Sequence, residues 1–369
     1  MDSSRDLIGI VVPKSCGFLV AHKGGVQVKN TTIAVDIAKS VFEIAVSEQQ
    51  GHVSERHRLS RAGFLRFFAQ REPVTVLLEA CGSAHHWARQ LQGLGHRVVL
   101  LPPHAVRPYV PRNKTDRADA RALLEAARNK DIKPVPIKSL SQQALTALHR
   151  LRSAWLAART ARINTVRGLL REFGVVIPVG PRHVLQLLGA AIEDIDSPLP
   201  ESLRPVLALM GEEIRQLEER IDLVDRQLQR LSKQMPVVAR LQTIPGIGPI
   251  SSTALVAFVG DVARFPSARH FASYLGLTPR EHSSGLRRRL GSISKRGDTY
   301  LRMLLTHGAR AVLWATHRKI PHERLRLWAH NVERLRGHNK AAIALANKMA
   351  RLVWAVWKKD KDFEEVPAV

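Results

Sequence analysis

Two carboxylates three residues apart, Asp116 and Asp119, are the first candidates for chemistry in this chain. They stand in Asn113-Lys114-Thr115-Asp116-Arg117-Ala118-Asp119-Ala120, which reads as a helix start. Thr115 fits an N-cap, and helix-forming residues continue from 118 to 128. At that spacing the two acids share one helix face. Carboxylates packed so close repel each other unless a cation lies between them. With Arg112, Lys114, Arg117 and Arg121 around them, they suggest a divalent-metal site beside a polyanion. The plainer alternative is a pair of first-turn acids favoured by the helix dipole.

The elements that must position these acids precede them. Residues 32–39 read as a strand that carries Asp36 near its end, and the short alternating runs 41–46 and 53–59 suggest an antiparallel meander. An amphipathic helix over 61–70 leads to a buried strand at 74–78, which delivers Glu79. A helix over 83–94, a strand over 96–101 and a loop over 102–113 complete the approach to the acidic helix. Three strands, a helix, a strand, a helix, a strand and a helix is the order of the ribonuclease H fold. In that order Asp36, Glu79 and the Asp116–Asp119 pair converge on one end of the sheet. Residues 1–28 carry no clear pattern and read as an extension.

Charge narrows the partner. Fifty-seven Lys and Arg against 32 Asp and Glu leave a net +25, which points to nucleic acid. A membrane is a poor alternative, because no apolar run approaches about 20 residues. Asp2 and Asp6 spoil the start as a signal peptide. Two cysteines, Cys16 and Cys81, make neither a disulfide framework nor a zinc spacing. A cytoplasmic, nucleoid-associated protein is expected. His85 and His86 are adjacent and cannot both face one site on a helix, so they read as non-ligands.

Residues 141–173 read as one long helix. Arg150, Arg152, Arg159, Arg162, Arg167 and Arg171 line it with no acid before Glu172. A solvated face normally mixes both signs, so the uniform sign predicts phosphate contact. Residues 178–205 read as a looser connection. A second helix follows, with Leu207, Met210, Ile214, Leu217, Ile221, Val224, Leu228 and Leu231 spaced three and four apart as a heptad seam that ends before Pro236. An intramolecular hairpin and a subunit interface both satisfy that seam. Trp314, Trp328, Trp354 and Trp357 fall on the closing helices, where tryptophan is more often core than a base-stacking platform.

The C-terminal third opens with Thr243-Ile-Pro-Gly-Ile-Gly-Pro249, which resembles a helix-hairpin-helix element. There Gly246 and Gly248 would let backbone N–H groups approach a phosphate. Ser283-Ser284-Gly285, the run Arg287-Arg288-Arg289, and Ser294-Lys295-Arg296-Gly297 follow. A serine in a Gly-rich basic loop by itself suggests phosphate binding.

Asp36 in Val-Asp-Ile-Ala-Lys, Glu79 in Leu-Glu-Ala-Cys-Gly, Asp116 with Asp119, and the Ser-Gly block resemble, in order, the motifs of the insertion sequence 110 family of DEDD transposases. The resemblance runs over about residues 31–355 and extends to the Piv-type DNA invertases. Cys81 departs from the Thr or Ser expected after Glu-Ala. The resemblance implies an α/β plus α chain. Its parts would be a ribonuclease H-like, Holliday-junction-resolvase-like domain over 29–135, a basic helix and coiled coil over 136–235, and a mainly helical transposase domain over 236–369.

It also implies that Asp36, Glu79, Asp116 and Asp119 hold Mg²⁺, as a pair of ions, and that Ser284 is the nucleophile in DNA strand transfer. Arg287, Arg288, Arg289, Lys295 and Arg296 would offset the charge of the attacking oxygen. The implied partners are the DNA of element ends and target, a structured guide RNA made from the element, and further copies of the chain as a dimer or tetramer. A junction-resolving nuclease that uses metal-activated water and the same acids is the rival enzyme. A non-catalytic nucleic-acid-binding protein with structural acids is the rival outside enzymes.

Overall fold

Alternation and strand length decide the first part of the chain. The computed structural model describes residues 31–49, 52–111, 116–316 and 323–364, and of Asp116, Arg117 and Thr316 the backbone alone. The 1–28 extension and the Thr115 cap, with Arg112 and Lys114, lie outside the described residues. Two compact units divide the chain at Val135/Pro136.

In the first unit, β1 (Thr32–Ile37), β2 (Val41–Ser47) and β3 (Glu55–Ser60) form the antiparallel meander. After α1 (Arg61–Ala69) come β4 (Thr75–Glu79), α2 (Ala84–Gly93) and β5 (Arg97–Leu101). The sheet order is β3-β2-β1-β4-β5, with β1, β4 and β5 parallel. One face carries Phe42, which meets Phe64 of α1 and Trp87 of α2 edge-on. The other carries Ala34, Leu77 and Leu101, packed with Ala122, Leu123 and Ala126 of α4 (Asp116–Arg128). The approach read as a plain loop contains a one-turn helix, α3 (Pro103–Val106), which buries Val106 in the same core.

The second unit is helical apart from one β-hairpin. Ser139 and Gln142 form a capping box at the start of α5 (Leu140–Glu172). The connection read as loose contains α6 (Val184–Glu193), whose Leu188 packs against Gly211 of α7 (Arg204–Gln234). On α7 the seam residues Leu207, Ile214, Leu217, Ile221, Val224 and Leu228 are buried, and α7 packs on α5, α6 and α9. The intramolecular hairpin is therefore one partner of the seam.

Two cores serve this unit. Ile163, Val166, Leu170, Leu188, Leu207 and Ile214 form one at the α6 end. The larger one gathers α8 (Pro236–Leu241), α9 (Pro249–Val259), α10 (Ala268–Tyr274), α11 (Thr299–Thr316), α12 (Arg324–Arg336) and α13 (His338–Lys359) around Leu255, Phe271, Leu305 and Met349. Trp328, Trp354 and Trp357 pack against it as expected of core tryptophans, whereas Trp314 is 57% exposed. No helix among the described residues is long and apolar enough to cross a membrane.

The one-sign reading of α5 does not hold, because the matching acids come from α7. Arg152 pairs with Asp225 at 2.5 Å, Arg159 with Glu218 at 3.6 Å and Arg162 with Glu213 at 2.7 Å. Arg167 donates to the carbonyls of Pro178 and Gly180. The hydrogen bond from Arg162 holds the Glu213 carboxyl below its ordinary range. Charge uniform along one helix is mixed across the hairpin.

His149 joins four helices. Its Nε2 lies 3.1 Å from the Thr253 hydroxyl on α9, and its Nδ1 lies 3.1 Å from the Tyr300 hydroxyl on α11. Thr253 donates its proton to the Pro249 carbonyl at 2.6 Å, so it accepts from His149 Nε2–H. Nδ1 then accepts from Tyr300, and the ring is neutral. Tyr300 also accepts from Arg152, which brings Asp225 of α7 into the network. Burial, with the Arg152 charge second, pushes His149 down to about 4.

The unfolded chain takes up a proton near the ordinary value of 6.5, which the folded chain refuses until about 4. Stability contributed by this group is complete above the upper value and lost as pH falls through that window. We expect denaturant unfolding to show a loss approaching about 3 kcal/mol across it. His149→Gln removes that component of the pH dependence, and an unchanged slope in the variant assigns it elsewhere.

Candidate active site

The sheet aligns two of the acids by register. Val35 pairs with Leu78 across the parallel β1–β4 ladder, so Asp36 and Glu79 stand one rung further on. Alternate strand residues share a face. Asp36 therefore lies on the face of Ala34, and Glu79 on the face of Leu77, both covered by α4. On α4, Asp119 precedes the buried Ala122 and Leu123 by three and four residues, so it points to the same side one turn earlier. Asp36, Glu79 and Asp119 are all half-buried, and Asp116 opens the helix one turn before Asp119.

One acid that the sequence pattern did not single out joins this face. Glu43 of β2 is the cross-strand partner of Asp36 and is held by Arg58 at 3.3 Å. Only the strand register reveals it. Cys81, the departure from the expected motif, has its thiol pushed up by burial first and by the Glu79 charge after it.

The donor set is all oxygen, which suits a hard cation such as Mg²⁺ and gives little purchase to softer metals. Among the described residues no three His, Cys, Asp or Glu side chains gather closely enough to hold an ion, and the Asp116 side chain lies outside that description.

The serine block is a hairpin and not the loop that its glycine and arginine content suggested. β6 (Pro279–Glu281) and β7 (Leu290–Ile293) pair antiparallel, and Ser284 and Arg287 close the tip. Gly285, at φ +54°, takes the first central position of the turn, where glycine meets no steric cost. The two serines differ. Ser283 donates to Glu281 at 2.7 Å and accepts from the Arg289 N–H at 3.1 Å. Ser284 is exposed, and its hydroxyl has no partner among the described residues. Arg287, Arg288 and Arg289 are exposed beside it, with Arg288 3.4 Å from Glu281.

The base of this arm is clamped. Gly276 at φ +72° and Gly297 at φ +75° cross so closely that a Cβ on either would overlap backbone of the other strand, at Arg296 and Tyr274. Arg302 donates to the carbonyls of Leu275 and Arg296 at 3.1 and 2.8 Å. Lys295 is held at φ +55°, an unusual conformation for a side chain of this kind, with its N–H on the Gly276 carbonyl.

The two glycines of Thr243–Pro249 are placed differently. Gly246, at φ +82°, packs against the backbone of Gly308 on α11, with no room for a Cβ. Gly248 is exposed at the amino end of α9, where the neighbouring cleft is lined by Asp222 and Asp225. Arg226 lines the same cleft, and Asp225 is already paired with Arg152.

Comparison with known proteins gives two matched segments. A DEDD transposase model of IS110 type, described as transposase, matches residues 33–175, and one described as transposase IS116/IS110/IS902 family matches residues 238–324. The class is that of transposases, enzymes that cut and rejoin DNA strands.

The chain is 44% identical over 329 residues to a probable family 20 transposase of Pseudomonas aeruginosa, covering 89% of this chain and 97% of that protein. It is 36% identical to the transposase for insertion sequence element IS1111A of Coxiella burnetii, covering 90% of each. A pilin gene-inverting protein of Moraxella lacunata is 24% identical over 91% of this chain and 98% of its own length. The chain belongs to the IS110/IS116/IS902 family of transposases.

Gly297→Ala tests the clamp. We expect a loss of unfolding free energy beyond the roughly 1–2 kcal/mol of a left-handed alanine alone, because a carbonyl oxygen occupies the new methyl's place. Gly285→Ala, with open space around it, shows only that backbone cost. Equal losses in denaturant titrations would mean that the crossing is not tight.

Proposed function

We propose that this chain is a DNA recombinase of an insertion element whose acid-bearing sheet binds the metal and whose hairpin serine attacks the strand. The observation that carries this reading is the contrast between Ser283, engaged on both sides of its oxygen, and Ser284, presented unbonded at the tip among three arginines. The acid-bearing unit is read as ribonuclease H-like from its strand order and from the acids at the ends of β1 and β4 and the start of α4. The α5–α7 pair is read as the coiled coil.

Asp36, Glu79, Asp116 and Asp119 would hold the cations. Bound there, two Mg²⁺ ions supply charge neutralisation at the scissile phosphate and at the leaving oxygen. Ser284 Oγ attacks phosphorus and gives its proton to solvent, the bond from phosphorus to the sugar oxygen breaks, and that oxygen takes a proton from solvent to leave as a hydroxyl. The product is a phosphoserine diester that links the protein to DNA. The hydroxyl of the exchanged strand reverses this step and frees the serine. Arg287, Arg288 and Arg289 hold the phosphate oxygens, and Lys295 and Arg296 extend the same charge along the arm.

The geometry of α5 supports Arg159, Arg162 and Arg167 as hairpin contacts ahead of DNA contacts. DNA is the substrate, and the guide RNA and subunit assembly enter through the family resemblance. The inverting activity named for the Moraxella relative supports recombination over simple cutting.

Ser284→Ala removes one exposed oxygen, so folding should be unchanged. We expect it to bind DNA and to form no covalent adduct with a labelled strand on denaturing electrophoresis, while Ser283→Ala retains the adduct. Trapping by Ser284→Ala removes the assignment. Free cleavage by the wild type without an adduct gives the site to metal-activated water.

Asp119→Asn is expected to abolish recombination with folding and DNA binding intact, and loss of folding assigns the acid a structural role instead.

A further inference from the structure

The closing helices carry a second cluster of cations, away in sequence from the serine arm. On α12, Arg324 and Trp328 are four apart, and on α13, Lys348 and Arg351 are three apart, so each pair shares a helix face. The two faces meet, because the Lys348 ammonium lies 4.1 Å from the centre of the Trp328 ring. That contact fixes a flexible side chain over an aromatic face. Among the described residues no carboxylate pairs with Arg324, Lys348 or Arg351. On the α5–α7 hairpin, by contrast, three arginines find acids.

We propose that Arg324, Lys348 and Arg351, set around Trp328, form a binding site for a nucleic-acid phosphodiester backbone. The inference rests on the transposase reading and adds to it a contact surface outside the serine arm. Lys348 is half-buried between the exposed Arg324 and Arg351, and like charges gathered this way repel one another unless an anion offsets them. Burial first, then the charges of Arg324 and Arg351, press the Lys348 ammonium below its ordinary range, so the crowding is felt in the fold. A polyanion relieves all three at once, and releases counterions as it does so. Guanidinium groups add the planar donor fork that matches phosphate oxygens, and the Trp328 ring holds the lysine between them.

The test uses the full chain, with fluorescence anisotropy on a labelled DNA duplex, the corresponding single DNA strand and an RNA of the same sequence, each over a salt series. Arg324→Gln/Arg351→Gln is expected to weaken binding and to make the log–log salt slope shallower by roughly two on the strand that occupies the site. Lys348→Met, which keeps the packing on Trp328, makes it shallower by about one. The probe that loses slope identifies the strand as duplex, single-stranded DNA or RNA.

Neither variant lowers the melting temperature, because each removes repulsion. Unchanged slopes on all three probes, with the wild type binding normally and forming its DNA adduct, overturn this site and leave the transposase reading standing. A fall in melting temperature also overturns it, since the cations then serve the fold. A wild type that binds none of the three probes overturns both.

Discussion

The buried contact of His149 with Thr253 and Tyr300 is what the second unit is built on. Its four helices have apolar faces that could slide or rotate against one another at modest cost, since hydrophobic contact is not directional. Hydrogen bonds between buried groups are directional, and a broken one leaves an unsatisfied group worth about 1–3 kcal/mol. Because Thr253 gives its only proton to the Pro249 carbonyl, the ring tautomer and the Tyr300 rotor are both determined. Arg152 and Asp225 extend the constraint to α7. The hairpin and the start of α11 are thereby locked to α9, and the serine arm leaves its clamp immediately before α11.

Different kinds of element present the two sets of reactive groups. The acids lie on strands and a helix whose register is fixed by hydrogen-bonded ladders and by packing of Ala34, Leu77 and Leu123. The backbone of Asp36 and Glu79 moves only with the sheet, and that of Asp119 only with α4 packed on it. The serine lies at the tip of a short arm whose own side chains are almost all exposed, and its position is inherited from the base. The acids are thus held by the fold itself, whereas the serine is carried on a short exposed arm.

Much of the first unit was legible in the sequence because its strands are buried runs such as 75–79, delimited by turns, and its helices are amphipathic. The four acids were singled out by their positions at element ends, and Glu43 was not, since only the register places it opposite Asp36. The arm was read as a loop because its strands are three and four residues long and carry no apolar alternation. The acids that partner α5 were missed because Arg152 and Asp225 are 73 positions apart, and pairing at that range depends on how two helices are set against each other. His149 gives no signal at all, as a single histidine in a long helix looks the same whether exposed or central.

The crossing of Gly276 and Gly297 has a consequence for how such a protein changes over time. The arm's direction is set where two backbones touch, and no side chain of its outer half takes part. The outer half can therefore differ in sequence or length without disturbing the crossing that carries it, whereas any side chain at either glycine must displace backbone. The arm's aim and the chemistry of its tip are thus set at separate places in the chain.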